Sequence, residues 1–194
     1  MSAIGSVCVF CGSRTGADTA YSRAARRFGR ILIERKMRLV YGGGSIGLMG
    51  VLVGAVLEGG GEVTGVIPEF LMRREVGNPT LTELVVVDSM HERKARMFEL
   101  ADAFVILPGG IGTLDETIEI ITWKQLGLHG KPIAILDVAG YWSAFESLIA
   151  RVIEGGFAYR GIRQLYSVTD DVERLLPILE SAPHPSISAS TGKL

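Results

Sequence analysis

Three strand-to-helix turns carry residue types suited to holding an anion and to cleaving a bond beside it. In VILPGGIGTLDE, residues 105–116, an apolar run ends at Pro108, and Gly109 and Gly110 free the backbone where a helix begins. Unpaired N–H groups and the positive end of the helix dipole then face one spot, which suits a single phosphate. No lysine follows as G-K-[ST], so this is not a Walker A loop and nothing points to cleavage of a nucleoside triphosphate. Thr113-Leu-Asp-Glu116 also reads as a T-x-x-E capping box, in which Glu116 would only satisfy a backbone N–H. At 100° per residue, Leu114, Ile118 and Ile121 form one apolar stripe, while Ile120 and Trp123 lie opposite, beside Glu116. Such a helix needs two covers. The second, a ligand or another subunit, would leave Glu116 in a partly dry site where a carboxylate can act.

The second turn, VYGGGSIGLMG at 40–50, places Gly42, Gly44 and Gly47 in a G-x-G-x-x-G pattern between a strand and a helix. A phosphate or ribose contact and plain close packing of helix on strand both fit it, whereas full NAD binding fits poorly because the turn follows the second strand. In the third, DSMHERKARMFELAD at 88–102, Met90, Met97, Phe98 and Ala101 define an inward stripe, with Lys94 in its middle and Arg93 at its edge. Two cations on a buried face are costly unless an anion or carboxylate meets them, so ligand contact is preferred to snorkelling. His91, His129 and His184 form no triad or metal-binding spacing, and Cys8 and Cys11 read as two reduced core thiols on opposite faces of one strand. No metal and no cofactor is expected. Neither Lys94 nor the other lysines offer a convincing Schiff-base site.

The elements that position these turns alternate. Apolar runs at 4–11, 38–41, 62–67, 84–87, 103–107, 133–136 and 164–168 are too continuous for half-exposed antiparallel strands and read as buried parallel ones. Helical patterns fall at 18–36, 46–59, 90–101, 113–127, 141–154 and 171–180. The reading is an α/β, single-domain, Rossmann-like doubly wound fold, with a mostly parallel sheet of about seven strands flanked by helices. Residues 1–181 form the domain and 182–194 a flexible C-terminal tail, with a long connection at 68–83. Ligands of such sheets bind beyond the carboxyl ends of the strands, where all three turns lie.

With 194 residues, 47% hydrophobic and 21% charged, the chain has ample material for one packed core. Twenty basic against 21 acidic residues give a net charge of −1, which argues against general nucleic-acid or anionic-membrane binding. Arg23, Arg26, Arg27, Arg30 and Arg35 read as a solvated helix face. No apolar run is long enough to span a bilayer and no basic segment precedes the first strand, so a cytoplasmic location is expected.

PGGIGTLDE at 108–116, GGGSIGLMG at 42–50 and SMHERK at 89–94 together resemble the LONELY GUY family, the cytokinin riboside 5′-monophosphate phosphoribohydrolases. The P-G-G-x-G-T-x-x-E pattern is filled without departure, Met90, Arg93 and Lys94 fill M-x-x-R-K, and the likeness runs from about residue 4 to 180. The resemblance implies hydrolysis of the N-glycosidic bond of N6-substituted adenosine 5′-monophosphates, with AMP as a further substrate, to free base and ribose 5-phosphate. It implies Arg93 and Glu116 as the catalytic pair. Lys94, Gly109, Gly110, Ile111, Gly112 and Thr113, with Gly43 and Gly44, would surround the nucleotide. Glu75 and Thr122 would be further substrate contacts. Glu116 and Thr122 lie about 120° apart around a helix, so both meet one ligand only if it wraps the helix or two subunits share sites, which the family's homodimers fit. Such proteins also attract the label lysine decarboxylase-like, for which the sequence supplies no pyridoxal-phosphate site. The competing expectation is a non-catalytic carrier of a phosphorylated ligand such as molybdenum cofactor; a dinucleotide-binding enzyme rests on GGGSIG alone.

Overall fold

A computed structural model describes residues 4–75 and 81–182. Among them, seven strands form one all-parallel sheet in the order β4-β3-β2-β1-β5-β6-β7. The chain runs β1 (Ser6–Phe10), α1 (Thr19–Glu34), β2 (Arg38–Tyr41), α2 (Gly47–Glu58), β3 (Val63–Pro68), α3 (Glu69–Glu75) and β4 (Glu83–Val87) across one half. It then returns to the other side of β1 with α4 (Met90–Leu100), β5 (Ala103–Ile106), α5 (Ile111–Gln125), β6 (Ile133–Leu136), α6 (Ser143–Glu154), β7 (Ser167–Thr169) and α7 (Leu175–Ser181). The strand order reverses between β1 and β5, and that switch point is where a doubly wound sheet opens a crevice.

Two apolar cores explain why the strand runs are continuous. Val7, Val9, Leu39, Tyr41 and Val105 meet helices α1, α2 and α7 on one face; Cys8, Phe10, Val40, Phe104 and Ile106 meet α4, α5 and α6 on the other. Cys8 and Cys11 fall in different cores and are both free thiols, as the strand alternation requires. The arginines of α1 do form a largely solvated face, with Arg27 paired to Glu34 at 2.6 Å and Glu173 at 2.5 Å.

Several expected boundaries shift. The 68–83 connection contains α3, a seven-residue helix too short to show a helical period. The last strand begins at Ser167, because Arg160–Gln164 is a 3₁₀ turn. The final helix pattern divides into a 3₁₀ turn at Val172–Arg174 and α7. Residues 183–194, with His184, lie outside the described residues.

Three glycine-rich loops are stitched together at the switch point. Gly12 N–H donates to Pro108 O and Leu48 N–H donates to Gly12 O, each at 3.0 Å. Gly47, at φ +63°, opens α2 so close to the first loop that a Cβ there would lie 2.2 Å from the Ser13 carbonyl carbon. Only glycine fits, by conformation and by space. Close packing therefore explains the last glycine of the G-x-G-x-x-G pattern.

Candidate active site

The site lies beyond the carboxyl ends of β1, β2 and β5, in a cavity of about 300 Å³. Its first wall is the start of α5. Gly110 is the N-cap and supplies no side chain, the first intrahelical bond runs from Leu114 N–H to Gly110 O, and the N–H groups of Ile111, Gly112 and Thr113 precede it. The capping-box expectation is thereby corrected. Thr113 is the third residue inside the helix, and Glu116 is left to the cavity.

A side-chain cap, close to a capping box, occurs instead at α4, where Ser89 is the N-cap. Ser89 Oγ accepts from Glu92 N–H at 3.1 Å, and Glu92 Oε2 accepts from Asp88 N–H at 3.0 Å. This fixes the first turn of α4 and so the root of Arg93. The Arg93 side chain, 9% exposed, donates through Nε to Val66 O at 3.2 Å and through Nη2 to Gly42 O at 2.8 Å. A Cβ at residue 42 would stand 1.9 Å from Nη2, so the second turn needs glycine for the guanidinium to reach that carbonyl. Nη1 stands 4.0 Å from Glu116 Oε1.

Glu116 is nearly enclosed, its side chain 12% exposed. Burial pushes its carboxyl up to about 7, opposed by the Arg93 and Lys94 charges and assisted by Asp115 and Glu119. No partner or ligand is needed for this drying. The stripe expected at Leu114, Ile118 and Ile121 also divides: Ile121 is buried and Ile118 is 42% exposed, while Ile111, at the cavity mouth, is 81% exposed.

The two cations of α4 exchange their expected places. Arg93 is the deep one. Lys94 turns sideways to α5, 3.1 Å from Asp115 Oδ2 and 3.0 Å from Glu119 Oε2, so protein carboxylates meet its charge. The cavity wall gathers Arg93, Gly110, Ile111, Gly112, Thr113 and Glu116. Gly109 lines an adjoining cleft of about 310 Å³ with Tyr141, whose hydroxyl donates to Gly109 O; Ser13 and Gly110 border both spaces. Lys94, Gly43, Gly44 and Thr122 do not line the cavity, but Asp115, which pairs with Lys94, does. Gly43 is packed toward Ile67, and Thr122 lies on the exposed side of α5 with its hydroxyl donating to Ile118 O. Glu75 closes α3, and its side chain is outside the described residues.

Ser13, Met49 and Leu71 line the cavity without having been anticipated. Ser13 follows β1 at the switch point, a place the topology alone marks for ligands. Leu71 comes from α3, a helix too short to carry a periodic signal. His129 is structural: its ring bonds Ile120 O at 2.8 Å and accepts from Lys131 N–H at 3.2 Å. Among the described residues no group of three or more His, Cys, Asp or Glu is placed to hold a metal ion.

A parallel α/β sheet with an uncapped helix start facing a buried carboxylate and guanidinium at its switch point defines a Rossmann-like protein built to hold and act on an anionic ligand. A family model described as possible lysine decarboxylase matches residues 49–179. A cytokinin riboside 5′-monophosphate phosphoribohydrolase of Arabidopsis thaliana is 45% identical over 97% of this chain and 86% of its own length. A probable enzyme of that name from Oryza sativa subsp. japonica is 48% identical over 91% of this chain and 76% of its own. The chain belongs to this phosphoribohydrolase family. Among solved structures, TM1055 superposes with a TM-score of 0.68 at 26% identity, covering 90% of this chain and 98% of its own. The molybdenum cofactor carrier protein of Chlamydomonas reinhardtii shares the fold, with a TM-score of 0.67 at 18% identity over 90% of this chain and 95% of its own.

Proposed function

We propose that the protein hydrolyses the N-glycosidic bond of N6-substituted adenosine 5′-monophosphates, and of AMP, to free base and ribose 5-phosphate, with Glu116 and Arg93 as the catalytic pair. The observation that carries this reading is one cavity in which the uncapped start of α5 faces a carboxyl poised at about 7 beside a fixed guanidinium. The 5′-phosphate sits on the N–H groups of Ile111, Gly112 and Thr113, anchoring the sugar so that binding energy is used in the transition state. As the ribosyl C–N bond breaks, its electron pair leaves with the base and positive charge builds on the sugar. The Glu116 anion opposes that charge and takes a proton from the water whose oxygen bonds to the sugar carbon. The base takes up a proton at a ring nitrogen, so one water is divided between the two products. Among the described residues no lysine lines the cavity, which supports hydrolysis over Schiff-base chemistry.

The test is chromatography of products from isopentenyladenosine 5′-monophosphate, AMP and unphosphorylated isopentenyladenosine. Free base is expected only from the monophosphates, with the rate rising with pH through about 7 as Glu116 ionises. No base release, together with a pterin copurifying with the protein, would replace this reading with the carrier.

The functional unit we infer is a homodimer. Ile111 and Ile118 present an apolar face on the same side of α5 as Thr122, next to the cavity mouth. A second copy covering that face would bring Thr122 to a shared site, with Glu75 a further contact that the resemblance implies. Sedimentation equilibrium should give twice 20.9 kDa, and Ile118→Glu should shift it toward the monomer; a wild-type monomer at micromolar concentration would refute the dimer. We infer a cytoplasmic setting for this enzyme; among the described residues no helix is long and apolar enough to cross a membrane.

A further inference from the structure

We propose that Tyr141 is a positioning residue for the anion-holding turn: its hydroxyl holds the Gly109 carbonyl and so aims the Gly110 N–H, across the same peptide plane, at the 5′-phosphate. The proposal rests on the reading that the start of α5 takes that phosphate. Three consecutive carbonyls of the turn have three different holders. Pro108 O accepts from Gly12 N–H and Gly110 O from Leu114 N–H, both at 3.0 Å, whereas Gly109 O accepts from the Tyr141 hydroxyl. The outer two are held by backbone. The middle one depends on a single side chain, 32 residues further along the chain.

A peptide unit is planar and trans, so its C=O and N–H point in opposite directions. With Gly109 O turned to Tyr141 in the adjoining cleft, the Gly110 N–H points away from Tyr141. Among the described residues, no backbone or side-chain acceptor takes it. Gly110 borders the cavity, and a Cβ added at Gly110 or at Gly112 would meet nothing within 4 Å, so the space before them is open to a ligand. The Gly110 N–H then joins those of Ile111, Gly112 and Thr113 as the fourth free donor of the helix start. Glycines flank this peptide on both sides, which lets an unheld plane turn over. Tyr141 removes that freedom.

The tyrosine is itself held. Asp137 Oδ1 accepts from Trp142 N–H at 2.6 Å and Tyr141 N–H donates to Val138 O at 3.1 Å. Ala139 and Gly140 take φ values of +53° and +74° to turn the chain after β6. A left-handed alanine is a costly backbone state, kept where the surroundings enforce it; here it precedes the residue that reaches the Gly109 carbonyl. The Tyr141 ring lies edge to face with Tyr21 at 5.4 Å and with the buried Trp142 at 5.1 Å. Packing fixes the ring and the hydroxyl bond fixes the turn, so phenylalanine at this position removes only the second.

The experiment is Tyr141→Phe, read by calorimetric titration of substrate-free protein with ribose 5-phosphate and, separately, with adenine, and by the ¹⁵N–¹H resonance of Gly110. Affinity for ribose 5-phosphate should fall about tenfold, the size of one hydrogen bond to a charged group. Adenine affinity should not change, and Tm should stay within about 2 °C of wild type. For the monophosphates, KM should rise by about the same factor while kcat changes by less than about threefold. The Gly110 resonance should move on addition of ribose 5-phosphate in the wild type and much less in the variant. Equal affinity for ribose 5-phosphate in the two proteins overturns the proposal and leaves the phosphate reading standing. Equal losses for ribose 5-phosphate and adenine also overturn it, because a general loosening of the site would produce them. Neither titration needs turnover, so the aim of the turn is decided even if no monophosphate is hydrolysed. Should Tyr141→Phe fail to fold, the wild-type Gly110 resonance decides: unmoved at saturating ribose 5-phosphate, it overturns the proposal.

Discussion

Glu116→Gln should abolish base release and, at the same time, yield a protein that melts higher than wild type above neutral pH. The first half follows from the proposed role: glutamine keeps the shape but neither takes a proton from water nor opposes charge on the sugar, a loss of about 10²- to 10⁴-fold. The second follows from burial. The carboxyl stands at about 7 in the folded protein against an ordinary 4.5, so the fold favours its neutral form. Its contribution to stability is fully present below 4.5, declines as pH rises through the interval, and is lost above about 7, where the folded protein holds a poorly solvated anion. Glutamine resembles the neutral form at every pH. The gain at pH 8 is at most roughly 3 kcal/mol, and of order several degrees in Tm, shrinking as pH falls. Melting curves from about pH 4 to 9 beside product assays read both halves; a variant that melts like wild type at high pH would show that Glu116 is not buried as an anion at the enzyme's expense.

The same residue shows how far the sequence could be read. Its turn was legible because PGGIGT is local: a strand end, two glycines and a helix start are consecutive, and their chemistry depends little on the rest of the fold. The strands were legible for a related reason, since residues buried on both faces of a parallel sheet form continuous apolar runs; β2 and β6 keep the anticipated bounds. Failures came where the outcome depends on distant elements. Thr113 has the right spacing from Glu116 for a capping box, but Gly110 starts the helix without a side-chain signature. Arg93 and Lys94 differ by 100° on a helical projection. That projection does not say that the longer, forked head will pass beneath the helix to carbonyls of two strands while its neighbour crosses to another helix. Leu71 enters the cavity from a seven-residue helix, too short for a period to reveal. Glu116 was expected to be dried by a ligand or partner, whereas the packing of α4, α5 and β1 does so within one chain.

Arg93 is the position where stability and activity should fall together. Arg93→Met leaves the buried Gly42 and Val66 carbonyls without their side-chain donors and removes the guanidinium facing Glu116. Orphaning buried acceptors and breaking a desolvated charge pair together cost about 2–5 kcal/mol. Loss of the cation also moves the Glu116 carboxyl further upward, because Arg93 is the largest influence holding it down. The acid side of the pH profile should therefore shift up, with a loss in kcat/KM of about 10²- to 10³-fold at neutral pH. Arg93→Lys tests geometry apart from charge. An ammonium is a point donor on a flexible stem and cannot serve the Val66 and Gly42 carbonyls and face Glu116 as a planar fork does. It should restore part of the lost stability but little of the rate. The double variant Arg93→Met with Glu116→Gln separates the two roles. If Arg93 acts on turnover mainly through Glu116, the two losses of rate will not add, while the cost of the orphaned carbonyls will persist in the melting temperature. Full additivity in rate would instead assign Arg93 an independent contact with the substrate, and its anchoring to two strands would then serve to aim that contact.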